Sequence, residues 1–104
     1  MLYDFILSPE AEEDLAKIYR YIAELGFPGN AARFVANIAD FCEGLRTFPN
    51  RGTKRADVAP ELRTIGFRRQ VTIIFSVREE PKLVTIARII HGRKNVERAL
   101  KNVR

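Results

Sequence analysis

The fold of this chain is decided by four segments that read FPNRG (Phe48–Gly52), PELR (Pro60–Arg63), VTIIFSV (Val71–Val77) and VTIARIIHGR (Val84–Arg93). Apolar residues recur at every second position in the last two, which is typical of strands with one buried face. In the final segment this alternation places Val84, Ile86, Arg88 and Ile90 on one predicted face. The pattern predicts three strands joined by short hairpin turns and preceded by a loop: Glu61–Phe67, Val71–Val77 and Lys82–His91, after a loop over Arg51–Pro60.

The first half of the chain has a helical pattern after one short strand. Leu2–Leu7 is apolar enough for a strand, and Ser8 followed by Pro9 is a helix start with serine as the N-cap. Apolar residues then recur at helical spacing until Gly26, and a second such run ends at Phe48-Pro49. The sequence therefore predicts an α+β fold in the order β-α-α-β-β-β, with a helical hairpin packed on a mostly antiparallel sheet.

Length and composition limit the class of protein. At 104 residues the chain is expected to form a single domain, residues 1–104, with 95–104 as a short helix or a loose tail. No apolar run approaches the ~20 residues that a membrane-spanning helix needs, and the N-terminus lacks the basic start of a signal peptide. The single cysteine, Cys42, has no partner within the chain, which fits a reducing compartment. We therefore expect a cytoplasmic protein without membrane contact.

Charge is divided unevenly between the two halves. Residues 1–50 carry four Lys or Arg and eight Asp or Glu, a net charge of −4. Residues 51–104 carry fourteen Lys or Arg and five Asp or Glu, a net charge of +9. Such polarity favours contact with an anionic or acidic partner through one side of the domain.

The residue inventory argues against most catalytic chemistry. One histidine and one cysteine do not make a zinc site, and the six glycines are scattered with no phosphate-binding loop among them. The acids at positions 10, 12, 13 and 14 are predicted to be a solvated helix start, where they complement the helix dipole. We expect no catalytic residue, no metal and no cofactor.

Basic side chains are the chemistry that remains. Arg63 and Arg88 fall in predicted strands, and Arg68 and Arg69 fall at a hairpin tip. For any one of them, the simpler interpretation is solvated charge that protects a sheet edge. Arg88 has apolar neighbours on its predicted face, so it either has a partner at the margin of the core or faces a groove. His91, at the end of the last strand, is either a packed imidazole or a contact residue.

Taken in order, these segments resemble a known family. SPEAEEDL (Ser8–Leu15), FPNRG, PELR, IIFSV (Ile73–Val77) and IARIIHGR (Ile86–Arg93) together resemble the toxins of the RelE/ParE superfamily, specifically its ParE branch. The resemblance covers nearly the whole chain, although each segment alone is short. One departure is that Val71 and Phe75 stand where ParE toxins often carry tyrosines.

The resemblance implies the toxin of a bacterial toxin–antitoxin pair. ParE-like toxins bind DNA gyrase and trap its cleaved DNA complex, so the chain would be an inhibitor and not an enzyme. The implied partners are gyrase and a cognate ParD-like antitoxin, which forms a hetero-oligomer with the toxin and would cover an apolar groove between the helical hairpin and the sheet. Nucleic acid would be contacted at most indirectly, through gyrase.

Charge placement then suggests which residues face the target. The predicted target-binding residues are Arg63, Arg88, His91, Arg93 and Lys94, and the residues predicted to face nucleic acid are Arg68 and Arg69.

Two alternatives remain open. RelE toxins cut messenger RNA on the ribosome with basic residues and a tyrosine. Arg63 and Arg93 match two of those positions, whereas Ile65, Thr72 and Ala99 occupy positions where basic residues or the tyrosine would stand. A RelE-like ribonuclease is therefore the second hypothesis. The third is a non-toxic remnant of a toxin that still folds and binds its antitoxin.

Overall fold

The computed structural model describes residues 2–92 and 95–103, and its regular elements follow the order β1-α1-α2-β2-β3-β4-β5-α3. The strands are β1 Asp4–Leu7, β2 Thr53–Lys54, β3 Leu62–Phe67, β4 Val71–Glu79 and β5 Lys82–His91. The helices are α1 Pro9–Glu24, α2 Pro28–Glu43 and α3 Val96–Lys101, and a single 3₁₀ turn, Gly44–Arg46, follows α2. None of these helices, within the described residues, is long and apolar enough to cross a membrane.

The strands form one sheet in the order β1-β5-β4-β3-β2. β1 runs parallel to β5, and every other pair of neighbours is antiparallel. The α1–α2 hairpin packs on one face, so the predicted α+β class and the mostly antiparallel sheet are confirmed. The loop predicted over Arg51–Pro60 is wrong at Thr53 and Lys54, which pair with Thr64 and Arg63 of β3. Two residues are too few to show the alternation by which a strand is recognised.

Ser8 joins the start of α1 to the sheet. Its hydroxyl accepts a hydrogen bond from the Ala11 backbone N–H at 3.0 Å, which confirms it as the N-cap. The same hydroxyl donates to the Ala87 carbonyl at 2.8 Å, and the Ser8 backbone N–H donates to the Ile86 carbonyl at 3.0 Å. The first turn of α1 is thereby held against β5, the strand that carries Arg88 and His91.

β5 contains a bulge that divides its side chains between two cores. Ile86 pairs with Phe75 and Arg88 pairs with Ile74, so β5 has one extra residue between them. After the bulge, Ile89 packs in the core under the helices and Ile90 packs in the core on the opposite face. The prediction that Val84, Ile86, Arg88 and Ile90 share one face is therefore wrong, because simple alternation does not show an extra residue.

Each face of the sheet has its own apolar core. The core under the helical hairpin is centred on Ile38, Phe75 and Ile86, all fully buried. The second core lies on the opposite face, where α3 places Ala99 and Leu100 over the sheet residues Leu62, Ile74 and Ile90. Because α3 closes this second core, residues after 95 contribute buried surface to the fold.

Cys42 is expected to be chemically inert in the folded protein. The side chain is fully buried on α2, and desolvation raises the pKa of its thiol to about 12. Since the thiolate is the reactive form, its fraction at neutral pH falls by about a thousandfold relative to an exposed cysteine. A disulfide-exchange reagent should label Cys42 rapidly in denaturant and extremely slowly in buffer. Fast labelling in buffer would show that α2 does not pack as described.

Candidate target-binding site

Asp14 and Arg88 form an ion pair at the junction of α1 and β5. The Arg88 guanidinium donates from Nε to one carboxylate oxygen of Asp14 at 2.8 Å and from its terminal nitrogen to the other at 2.9 Å. The Ile89 backbone N–H also donates to Asp14, at 2.9 Å. Asp14 is 6% exposed, and the Asp14 carboxylate raises the pKa of Arg88. Arg88 is thus fixed in one geometry, with its charge neutralised.

The prediction of a solvated acidic helix start is wrong for Asp14 and right for the three glutamates, which are exposed. Asp14 lies three residues after Ala11 and four before Ile18, so it shares their buried face of the helix. The sequence offered Arg88 two interpretations, a partner at the core margin or a position in a groove. Both apply, since Arg88 pairs with Asp14 and also lines a cavity.

That cavity has a volume of about 670 Å³ and lies between α1, the end of β5 and α3. Lys17, Arg88 and Arg98 are its described cations, and its one described carboxylate, Asp14, is already bound to Arg88. Arg93 and Lys94 lie outside the described residues. The cavity therefore has the charge to receive an acidic side chain, and Lys17 and Arg98 have no ion-pair partner among the described residues.

His91 is half-buried within an aromatic row that begins at Tyr21. Its ring lies edge-on to Tyr21 at 5.6 Å and tilted against Phe34 at 6.3 Å. The ring of His91 is therefore packed against other rings, as one of its two interpretations expected. The residue also lines the cavity. The row continues through Phe67, which is 6.1 Å from Phe34 and 5.2 Å from Phe41.

The predicted target-binding residues do not form one surface. Arg88 extends across the β5 edge to Asp14, whereas Arg63 on β3 extends the other way and donates to the Arg51 carbonyl at 3.3 Å. β4 lies between their strands. Arg68 and Arg69 occupy the β3–β4 turn, which lies beside the end of β5, where the Gly92 N–H donates to the Gln70 carbonyl at 2.8 Å. Of the described target-binding residues, Arg88 and His91 line the cavity, and Arg63 lies at the β2–β3 edge.

The β3–β4 turn holds two arginines in an unfavourable backbone conformation. Arg68 and Arg69 have φ of 51° and 61°, and the Gln70 N–H donates to the Phe67 carbonyl at 3.2 Å. Turns with two positive φ values favour Asn-Gly because other residues are strained there. The double substitution R68N/R69G is expected to raise the free energy of unfolding by about 1 kcal/mol, measured by urea denaturation. The control R68K/R69K should give no gain, and equal gains in both variants would contradict the account.

The exposed apolar side chains lie away from the predicted antitoxin groove. The space between the hairpin and the sheet is filled by the first core, apart from the 670 Å³ cavity between α1 and the end of β5 and a cavity of about 280 Å³ beside Phe34. Most large exposed apolar side chains lie elsewhere: on the helical hairpin, at Tyr19, Leu25 and Phe27, next to or on β1, at Leu2 and Ile6, and after the 3₁₀ turn, at Phe48, whereas Tyr21 lines the 670 Å³ cavity. An apolar partner would therefore meet the outside of the hairpin or the β1 edge.

Sequence reasoning missed several residues of these surfaces. It did not single out Lys17, Tyr21 and Arg98 of the cavity, because their helices carry them toward β5 only in the folded chain. It also passed over Arg33 and Arg51. A sequence signal for both residues was available, because each lies in a stretch without any Asp or Glu: 28–39 for Arg33 and 47–54 for Arg51.

Comparison with known proteins gives consistent matches over most of the chain. A family model described as ParE toxin of type II toxin-antitoxin system, parDE, matches residues 5–96. Among solved structures, the chain is similar to the chromosomal ParDE toxin–antitoxin system from P. aeruginosa, with a TM-score of 0.74 and 26% identity, covering 88% of this chain and 98% of that one.

A second solved structure shares the fold. It is the toxin–antitoxin complex RelBE2 from Mycobacterium tuberculosis, with a TM-score of 0.65 and 21% identity, covering 88% of this chain and 92% of that one. A search of curated protein sequences found no significant match.

Proposed function

The chain belongs to the ParE toxin family of type II toxin–antitoxin systems, and on this premise we propose that it inhibits DNA gyrase by trapping the cleaved DNA complex. The observation that carries the proposal is the family match over residues 5–96, supported by the similarity to a ParDE system. The chain acts by binding and not by catalysis. Its place of action is the cytoplasm, where gyrase works.

The surface proposed to meet gyrase is the rim of the 670 Å³ cavity. Lys17 and Arg98 supply cations without an ion-pair partner among the described residues, and His91 supplies a half-buried ring. Arg88 is a positioning residue, because its guanidinium is bound to Asp14 and holds α1 against β5. We also keep Arg93 and Lys94 as proposed target-binding residues, because they come directly after His91 and Gly92 in the sequence.

Charge reversal on the rim tests this assignment. The variant K17E/R98E is expected to abolish growth arrest and gyrase trapping, because an acidic group on gyrase would then meet like charge. The matched control R20E/K101E reverses one charge on each of the same two helices outside the cavity lining, and it should remain toxic. Equal toxicity of both variants would remove the cavity rim from the target-binding surface.

The second proposed partner is a cognate ParD-like antitoxin that covers exposed apolar surface. Tyr19, Leu25 and Phe27 are 40%, 58% and 54% exposed on the helical hairpin. An apolar segment laid across them would remove this surface from water. The variant L25D/F27D should fold and remain toxic but lose rescue by co-expressed antitoxin. Full rescue would place the antitoxin elsewhere, with the β1 edge as the next candidate.

Expression in bacterial cells separates this function from the two alternatives. Growth arrest with gyrase covalently linked to chromosomal DNA supports gyrase trapping. Growth arrest with ribosome-dependent messenger RNA cleavage and no linked gyrase would instead show a RelE-like ribonuclease. Normal growth, together with intact binding to the antitoxin, would show a non-toxic remnant.

A further inference from the structure

A row of cations that make no ion pair with described residues follows the β2–β3 edge of the sheet, the β3–β4 turn and the adjoining side of α2. Its members, here called the arginine strip, are Arg33, Arg51, Lys54, Arg63, Arg68 and Arg69. We propose that the arginine strip binds the phosphodiester backbone of duplex DNA directly. This inference does not depend on gyrase as the target, because it concerns binding of DNA by the isolated chain.

The strip is continuous because aromatic rings connect its two ends. At one end, Arg51 lies over the ring of Phe41, 5.4 Å from its centroid. That ring is 5.2 Å from Phe67, and Arg68 lies over Phe67 at 5.0 Å. The rings position the two guanidinium groups while leaving their hydrogen-bond donors free for a ligand.

The remaining members extend the strip at both ends. Arg63 donates to the backbone carbonyl of Arg51, and Lys54 pairs directly opposite Arg63 across β2 and β3. Arg33 lines the same 280 Å³ cavity as Arg68. Five of the six cations are arginines, whose planar fork binds phosphate in a bidentate manner.

No described carboxylate forms an ion pair with a member of the strip. Its members come from stretches 28–39, 47–54 and 62–72, which contain no Asp or Glu. The ion-paired arginines of the described chain all lie outside it, at Arg20, Arg46, Arg55, Arg78 and Arg88. Glu61, Glu79 and Glu80 line the same pocket as Lys54 and Arg63, so the least neutralised part of the strip is the part around Arg51 and Arg68.

Two features of the strip cost folding stability. Lys54 and Arg63 place like charges directly opposite each other, which destabilises a strand pair. Arg68 and Arg69 occupy positive φ values, which strains a non-glycine residue. A bound polyanion would reduce the repulsion between Lys54 and Arg63. The strained turn places Arg68 and Arg69 at the exposed tip of a hairpin. Costs that coincide on one surface indicate a binding role.

The spacing of the strip fits a nucleic-acid strand. Phe34, beside Arg33 and Arg68, and Phe41, under Arg51, are seven residues apart on α2. At about 1.5 Å per residue this is about 10 Å, which is longer than the distance between two successive phosphates of one DNA strand, so the strip can contact more than one phosphate.

Salt-dependent DNA binding tests the proposal with the full-length chain. A short fluorescent duplex should bind with an affinity that falls steeply as sodium chloride is raised. The variant R51Q/R68Q should bind at least about tenfold more weakly at low salt, and the slope of log affinity against log salt should lose about 2. Neither side chain takes part in a hydrogen bond or ion pair within the described residues, so the variant should fold like the original chain.

The matched control is R20Q/R78Q, which removes the same charge from two arginines that are ion-paired. Its affinity and salt slope should stay near those of the original chain. An equal loss in both variants would overturn the proposal, because only net charge would then matter. Displacement of the duplex by polyglutamate as readily as by unlabelled DNA would also overturn it, and would identify the strip as a site for an acidic protein.

Discussion

Replacing Arg88 by methionine is expected to lower the free energy of unfolding by about 3–5 kcal/mol. The substitution keeps the apolar stem and removes the guanidinium, which leaves the Asp14 carboxylate buried with the Ile89 N–H as its remaining described hydrogen-bond donor. A buried charge without its counter-ion is among the most destabilising changes in a small domain. Urea denaturation measures the loss, with Arg20→Met as the control, since Arg20 is exposed and its pair with Glu13 is long at 3.6 Å.

A double substitution separates the ion pair from simple loss of packing. Adding Asp14→Asn to Arg88→Met should recover part of the lost stability, because no charge is then left buried. If the two substitutions destabilise additively, Asp14 and Arg88 do not interact as described. The same reasoning shows why reversing the charge of Arg88 is a poor test of target binding: loss of toxicity would follow from unfolding.

Replacing Leu100 by alanine is the second large effect. Leu100 is 1% exposed and packs in the second core with Ile74 and Ile90, so its truncation is expected to lower the free energy of unfolding by about 3 kcal/mol. The neighbouring Lys101→Ala is the control, because Lys101 is exposed and should change stability by less than about 0.5 kcal/mol.

Limited proteolysis tests independently whether α3 stays docked in the Leu100→Ala variant. If α3 closes the second core, Leu100→Ala should expose the C-terminal residues to cleavage while Lys101→Ala does not. Unchanged stability and unchanged cleavage with Leu100→Ala would mean that α3 does not dock on the sheet. A loose C-terminal tail would then replace the helix that the structure describes.

The elements with strong local signals could be predicted from the sequence. Ser8 before Pro9 marks the start of α1, and its hydroxyl caps the helix as expected. β3, β4 and β5 begin and end within two residues of their predicted limits because period-two alternation is clear there. β2 was missed because Thr53–Lys54 becomes a strand only by pairing with β3.

The site was harder to predict because it depends on contacts across the fold. Arg88 was singled out for its apolar neighbours, but its partner Asp14 is 74 residues away and looked like one of four solvated acids. The bulge in β5 then changed which side chains share a face. The division of cations between the cavity and the β2–β3 edge follows from strand order, which local patterns do not encode.

We propose that the chain traps gyrase on cleaved DNA. A plasmid assay with purified components measures this trapping. The chain is incubated with gyrase, ATP and supercoiled plasmid, and the DNA is separated after detergent and protease treatment. We expect linear plasmid to appear only when the chain is present and to be absent when antitoxin is added. The variant K17E/R98E should produce no linear plasmid, whereas the control R20E/K101E should still produce it. Absence of linear plasmid and unimpaired supercoiling, with folded chain that arrests growth in cells, would contradict the claim.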